Sequence, residues 1–139
     1  MPESGKYNYD FQGYLVLVVE DNMISYRLIK TMLAKVNLEF LYASDGKSAV
    51  KLCNERPDID LVLMDIQLPL MSGLDATRAI LENRPGLPII ATTANAFHED
   101  YTACMEAGCK GFITKPIAFE RLFSLIRSIL NTGRSDEGT

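Results

Sequence analysis

Asp65 closes an apolar run, Leu61-Val62-Leu63-Met64, and Pro69 and Gly73 follow it at intervals of four residues. An earlier apolar run, from Leu15 to Val19, ends in the acidic pair Glu20-Asp21. Two later runs end the same way: Ile89-Ile90-Ala91-Thr92 meets Thr93, and Gly111-Phe112-Ile113-Thr114 meets Lys115. Each run is short and apolar enough to be a buried strand, so four strands would deliver these five reactive or charged groups at their C-terminal ends. In an open parallel α/β sheet those ends share one edge, and ligands bind in the crevice there. Three carboxylates, a hydroxyl and an ammonium gathered at that edge have the chemistry of a divalent-metal and phosphoryl site.

Each of these residue types also has an ordinary use. Acids solvate loops, a lone Asp forms turns, Thr fills strands and Lys decorates surfaces. Their combination argues otherwise. Like charges about 4 Å apart repel by roughly 1–4 kcal/mol each, depending on the local dielectric. A cation relieves that repulsion, and Mg²⁺ suits the donors, being a hard ion that takes one or two carboxylates and keeps room for water and phosphate oxygens. Asp65 is then the candidate nucleophile, since a carboxylate can attack phosphorus to give an acyl phosphate. Lys115 supplies a point charge for a phosphoryl oxygen and Thr93 a hydroxyl donor. Pro116 restricts Lys115 to extended conformations and could place a cis peptide after it.

The elements that must position these groups are legible as alternating periods. Strands are expected at about 15–19, 39–43, 60–64, 88–92 and 110–113, nearly continuous in apolar residues as befits strands covered on both faces. Between them, Ile24, Leu28, Ile29, Met32, Leu33 and Val36 repeat at helical spacing, and Leu122, Leu125, Ile126, Ile129 and Leu130 do so near the end. Asp45 before Gly46 reads as an N-cap, and Gly108 as the stop of a helix that begins near His98. Five β/α pairs with right-handed crossovers predict a doubly wound, flavodoxin-like five-stranded parallel sheet of order 2-1-3-4-5. Residues 14–131 are expected to form this domain, residues 1–13 a polar tail or linker, and residues 132–139 a disordered tail.

The bulk properties of the 139-residue chain exclude several classes. A net charge of −4 argues against nucleic-acid binding, which needs clustered Lys and Arg. No apolar stretch approaches the roughly 20 residues of a membrane span, and the N-terminus lacks the basic and apolar regions of a signal peptide, so a cytoplasmic location is expected. Cys53, Cys104 and Cys109 are odd in number and lack zinc-knuckle spacing, so they are expected to pack as small apolar residues. His98 is the single histidine and is read as an exposed residue at a helix start.

Four blocks of text then resemble the receiver (response-regulator) domain of two-component signalling. They are Leu17-Val18-Val19-Glu20-Asp21-Asn22, Leu63-Met64-Asp65-Ile66-Gln67-Leu68-Pro69 with Gly73, Ile89 through Ala96, and Thr114-Lys115-Pro116. The resemblance covers about residues 14–130. It implies a module that accepts a phosphoryl group from a histidine kinase or histidine phosphotransfer protein on Asp65, with Mg²⁺. Such a module catalyses its own phosphotransfer and autodephosphorylation without being a turnover enzyme. By the same resemblance, Asp21 and Asp65 would contact the metal directly, Glu20 through water, and the Gln67 backbone carbonyl would be a further ligand. Thr93 would be the switch hydroxyl and Phe112 the switch aromatic. Gln67 and Asn95 would tune the lifetime of the phosphorylated state. The fourth helix, fifth strand and fifth helix would form the surface that switches, and the place to look for a homodimer.

The blocks Glu20-Asp21-Asn22, Asp75-Ala76-Thr77-Arg78 and Thr93-Ala94-Asn95-Ala96 resemble receivers fused to hybrid sensor kinases more than those fused to transcription factors. That implies either the cytoplasmic part of a membrane-bound hybrid kinase, with Tyr9 to Gly13 ending an interdomain linker, or a stand-alone receiver. Two other readings compete. A phosphatase of the haloacid-dehalogenase type shares the Asp, Mg²⁺, Thr and Lys, but it needs a second Asp two residues after the nucleophile, where this chain has Gln67, and it usually carries a cap insertion. An inert receiver-like scaffold would not need the full residue set.

Overall fold

The computed structural model describes residues 9–95 and 97–138, with side chains for all of these except residue 98 and residues 132–138. Among them, strands β1 (Leu15–Val19), β2 (Glu39–Ala43), β3 (Leu61–Asp65), β4 (Ile89–Thr93) and β5 (Gly111–Thr114) alternate with helices α1 (Met23–Lys35), α2 (Gly46–Glu55), α3 (Gly73–Asn83), α4 (His98–Ala107) and α5 (Phe119–Gly138). The strands form one parallel sheet of order β2-β1-β3-β4-β5, as expected from the alternating periods.

Side chains alternate across the strands, so each strand feeds two cores. Leu17, Val19, Val62, Met64, Ile89 and Ala91 pack with Ala49 and Cys53 of α2, Ala76 and Ile80 of α3 and Cys104 of α4. Val16, Val18, Leu61, Leu63, Ile90 and Ile113 pack on the other face with Ile29 and Leu33 of α1 and Leu122, Phe123 and Ile126 of α5. All three cysteines are buried and free, as their apolar reading requires.

Local signals set the helix ends. The side chains of Asn22, Asp45 and Ser72 accept from Ser25 N, Ser48 N and Asp75 N at 2.9, 2.8 and 3.1 Å, each satisfying one otherwise unpaired donor of a first turn. Gly108 ends α4 at φ +108°, a left-handed cap that a Cβ would strain, and Cys109 N donates to Cys104 O at 3.0 Å to close the turn.

Three expectations are corrected. Strands β3, β4 and β5 each start and end one residue later than read. Asp65 and Thr93 take ladder partners of their own, Asp65 opposite Thr92 and Thr93 opposite Thr114. Asp65 and Thr93 are therefore held by the sheet and not by loops. Secondly, residues 9–13 are not a loose tail. Phe11 is buried, its N–H donates to Val36 O at 2.8 Å, and its ring joins those of Tyr9, Phe119 and Phe123. Arg127 caps the cluster from 4.5 Å above Tyr9. Residues 1–8 lie outside the described residues. Thirdly, the backbone of α5 continues as helix to Gly138, where a disordered tail was expected from residue 132. No proline interrupts this stretch, and Gly133 costs a helix only about 1 kcal/mol. Among the described residues, no helix is long and apolar enough to cross a membrane.

Candidate phosphoacceptor site

The ladder registers Val19–Met64, Asp65–Thr92 and Thr93–Thr114 bring the C-terminal ends of β1, β3, β4 and β5 to one edge. Glu20 follows β1 directly and stays in the sheet's hydrogen-bonding pattern, its N–H donating to Ala43 O at 3.1 Å. Its side chain is 1% exposed, as buried as the core around it, and Asp65 at the end of β3 is 2% exposed. Asp21, one residue further into the turn, is solvent-exposed. One carboxylate oxygen from each of Glu20, Asp21 and Asp65 lies within 4.8 Å of the others. That spacing leaves a shared position for a cation that prefers oxygen ligands.

Lys115 enters from the end of β5. Its backbone N–H donates to Thr93 O at 2.7 Å, and the Lys115-Pro116 peptide is cis. Its Nζ lies 2.9 Å from Glu20 Oε1 and 3.2 Å from Asp65 Oδ2, so one ammonium bridges two buried carboxylates. Burial pushes the Glu20 carboxyl above its ordinary pKa, and the Asp65 charge adds to this against the opposing hydrogen bond from Lys115. Burial alone would lower Lys115, but the hydrogen bond to Glu20 and the charges of Asp65 and Glu20 outweigh it and hold the ammonium charged. A single cation against three carboxylates leaves two negative charges unbalanced. The donor set therefore fits a hard divalent ion.

The loops at this edge are tied to the same residues. Gln67 N–H donates to Asp65 Oδ1 at 2.9 Å, and Gln67 Oε1 accepts from Ala94 N–H at 3.0 Å. Thr93 is fully buried, and its Oγ1 accepts from Asn95 N–H at 3.1 Å. Asn95 itself is exposed in the β4–α4 loop. Gly73 explains its spacing from Asp65: a Cβ there would sit 2.2 Å from Asp65 O and 2.5 Å from Ile66 Cα, so α3 can start against the end of β3 only without a side chain. Phe112 stands apart from the carboxylates. It is half-buried on β5, opposite Ala91, and meets Tyr101 of α4 edge-on at 5.6 Å.

One contributor escaped the sequence reading. The Tyr42 hydroxyl at the end of β2 donates to Glu20 O at 2.8 Å and so holds the turn that presents Glu20 and Asp21. An aromatic residue with a polar tip at the end of a neighbouring strand was the available signal. The side chain of His98 lies outside the described residues.

Comparison with known proteins agrees with this geometry. The family model for the response regulator receiver domain matches residues 16–127. The hybrid signal transduction histidine kinase I of Dictyostelium discoideum is 42% identical over 121 residues, 81% of this chain but 7% of that protein. The chain thus spans only a small part of such relatives. The polar-differentiation response regulator DivK of Brucella anthropi is 36% identical over 118 residues, which cover 83% of this chain and 94% of that one. Among solved structures, the receiver domain of a Pseudomonas aeruginosa sensor histidine kinase, which has a magnesium ion coordinated in its active-site cleft, superposes with a TM-score of 0.78. It shares 36% identity with this chain, covering 86% of this chain and 98% of that one. The chain belongs to the response regulator receiver domain family.

Proposed function

We propose that Asp65 is the phosphoacceptor of this receiver, with Glu20, Asp21, Thr93 and Lys115 as its working partners. The observation that carries the assignment is the buried strand-end carboxylate of Asp65, gathered with two further acids and bridged by Lys115. An oxygen of Asp65 attacks the phosphorus of a phosphohistidine. The P–O bond forms as the P–N bond breaks, and the imidazole nitrogen keeps the electron pair and takes a proton from solvent. The product is an acyl phosphate. Asp21, Asp65, Glu20 (through water) and the Gln67 backbone carbonyl would hold Mg²⁺, and when bound the ion neutralises charge that develops on the phosphoryl oxygens. Lys115 pairs with one phosphoryl oxygen and Thr93 donates to another, while Gln67 and Asn95 border the path of hydrolytic water and set the adduct's lifetime.

The same assignment accounts for switching. A phosphoryl group adds about −1.5 to −2 charges and new acceptor oxygens, which draw the Thr93 hydroxyl away from Asn95 N–H. Phe112 then turns toward the space that Thr93 leaves, and the face of α4, β5 and α5 repacks. Tyr101 and Met105 are exposed on α4, which favours that face as the place where a homodimer would form. The donor is a histidine kinase or histidine phosphotransfer protein, by analogy with the kinases to which the related receivers belong. Ile24 and Leu28 are exposed in a shallow groove they share with Lys115 and Ile117, and offer an apolar rest for that donor beside the site.

Intact-mass measurement after incubation with acetyl phosphate tests the assignment. A gain of about 80 Da that needs Mg²⁺ and is absent from Asp65→Asn is the expected result for an aspartyl phosphate. A gain of equal size in Asp65→Asn would place the modification elsewhere.

A further inference from the structure

Gln67 engages the site at both of its ends. Its backbone N–H is on Asp65 Oδ1 at 2.9 Å, and its side chain crosses to the β4–α4 loop, where Oε1 accepts from Ala94 N–H at 3.0 Å. Only the amide oxygen can serve there, because the partner is a donor. The next amide along the loop, Asn95 N–H, is taken by Thr93 Oγ1 at 3.1 Å. Two successive backbone N–H groups beside Asp65 thus point at neutral side-chain oxygens. Successive N–H groups in a turn make an anion-binding concavity, and a charged acceptor makes roughly twice as strong a hydrogen bond as a neutral one.

Resting on the phosphoacceptor reading, we propose that the Gln67 side-chain carbonyl is an internal stand-in for a phosphoryl oxygen. It holds the Ala94 N–H in the unmodified protein and gives it up when Asp65 carries a phosphoryl group. Without Gln67 Oε1 the Ala94 donor would be left to solvent and the β4–α4 loop would lose its tie to the β3–α3 loop. With it, the loop is held in the geometry the anion needs, but the anion must first displace Gln67. The displaced side chain meets no burial cost, since Gln67 is already exposed. Gln67 is therefore a positioning residue: it acts on the phosphoryl group through Ala94, and exchanging it alters anion affinity as well as adduct lifetime.

The test uses the whole chain and two variants. Gln67→Met keeps the length and removes the acceptor. Gln67→Glu keeps acceptor oxygens and adds a charge that repels the anion. Backbone amide exchange at Ala94 is followed by NMR, without anion and with beryllofluoride plus Mg²⁺ as a phosphoryl mimic. Without anion, Ala94 N–H is expected to be protected in the parent and in Gln67→Glu and to exchange freely in Gln67→Met. With the mimic it should be protected in the parent and in Gln67→Met. Gln67→Met should bind beryllofluoride about two- to tenfold more tightly than the parent, the worth of one displaced hydrogen bond. Gln67→Glu should bind it more weakly. Equal Ala94 exchange in the anion-free parent and Gln67→Met would overturn the stand-in while leaving the phosphoacceptor reading intact. Failure of the parent to bind the mimic, together with no acetyl-phosphate adduct, would overturn the reading itself.

Discussion

Asp65 faces two carboxylates and one ammonium. Glu20 and Asp21 each bring an oxygen within 4.8 Å, and Lys115 Nζ lies 3.2 Å away. At an effective dielectric of about 20, the two repulsions sum to about 7 kcal/mol against about 5 kcal/mol of attraction, and burial of Asp65 adds a desolvation cost. Without metal the charge on Asp65 thus opposes folding, the usual cost of a preorganised site. Asp65→Asn should stabilise the protein by about 1–2 kcal/mol in urea unfolding with EDTA, and Mg²⁺ should narrow the gap. A variant less stable than the parent in EDTA would mean that the Lys115 bridge, and not repulsion, governs the cluster. The chemistry at this scale was legible because it depends on residue type and offset. Glu20, Asp21, Asp65, Thr93 and Lys115 each follow an apolar run. The Gln67–Ala94 and Tyr42–Glu20 contacts were not legible, because a rotamer and a neighbouring strand decide them.

The offset between Asp65 and Gly73 is set between elements, by the approach of α3 to the end of β3. The groups a Gly73 Cβ would meet are backbone atoms of Asp65 and Ile66, which cannot rotate aside. Gly73→Ala is therefore expected to cost about 3 kcal/mol or more and to slow acceptance by displacing Asp65. Gly86→Ala is the control: its Cβ would meet nothing within 4 Å, so stability and acceptance should stay near those of the parent. Similar losses for the two variants in chemical unfolding would show that close approach is not the reason for Gly73. Elements with a clear period were legible from the sequence, including the strand order and the caps at Asp45 and Gly108. The docked segment around Tyr9 and Phe11 was not. Two aromatics among polar residues carry no period, and their partners Phe119, Phe123 and Val36 are distant in sequence.

At the scale of the whole molecule, the two cores set how the protein responds to alkaline pH. The core between the sheet and α2, α3 and α4 holds all three thiols. Burial pushes Cys53 from its usual 9.0 up to about 11 and Cys109 from the same value up to about 12, and it raises Cys104 as well. A raised pKa in the folded state means that the folded protein keeps protons the unfolded chain has lost. The contribution is complete below the unfolded value near 9 and is lost as pH rises toward the folded values. Between pH 9 and 11 each of Cys53 and Cys109 should remove about 1.4 kcal/mol of stability per pH unit. Urea unfolding across that range should show a steep fall in the parent and a shallower one in Cys53→Ala/Cys109→Ala, although that variant starts lower because it loses packed sulfur. Tyrosines and lysines titrate in both proteins, so the difference between the two slopes isolates the thiols. Parallel slopes would mean that the thiols ionise inside the folded protein, and that this core admits water and hydroxide where the structure has it closely packed.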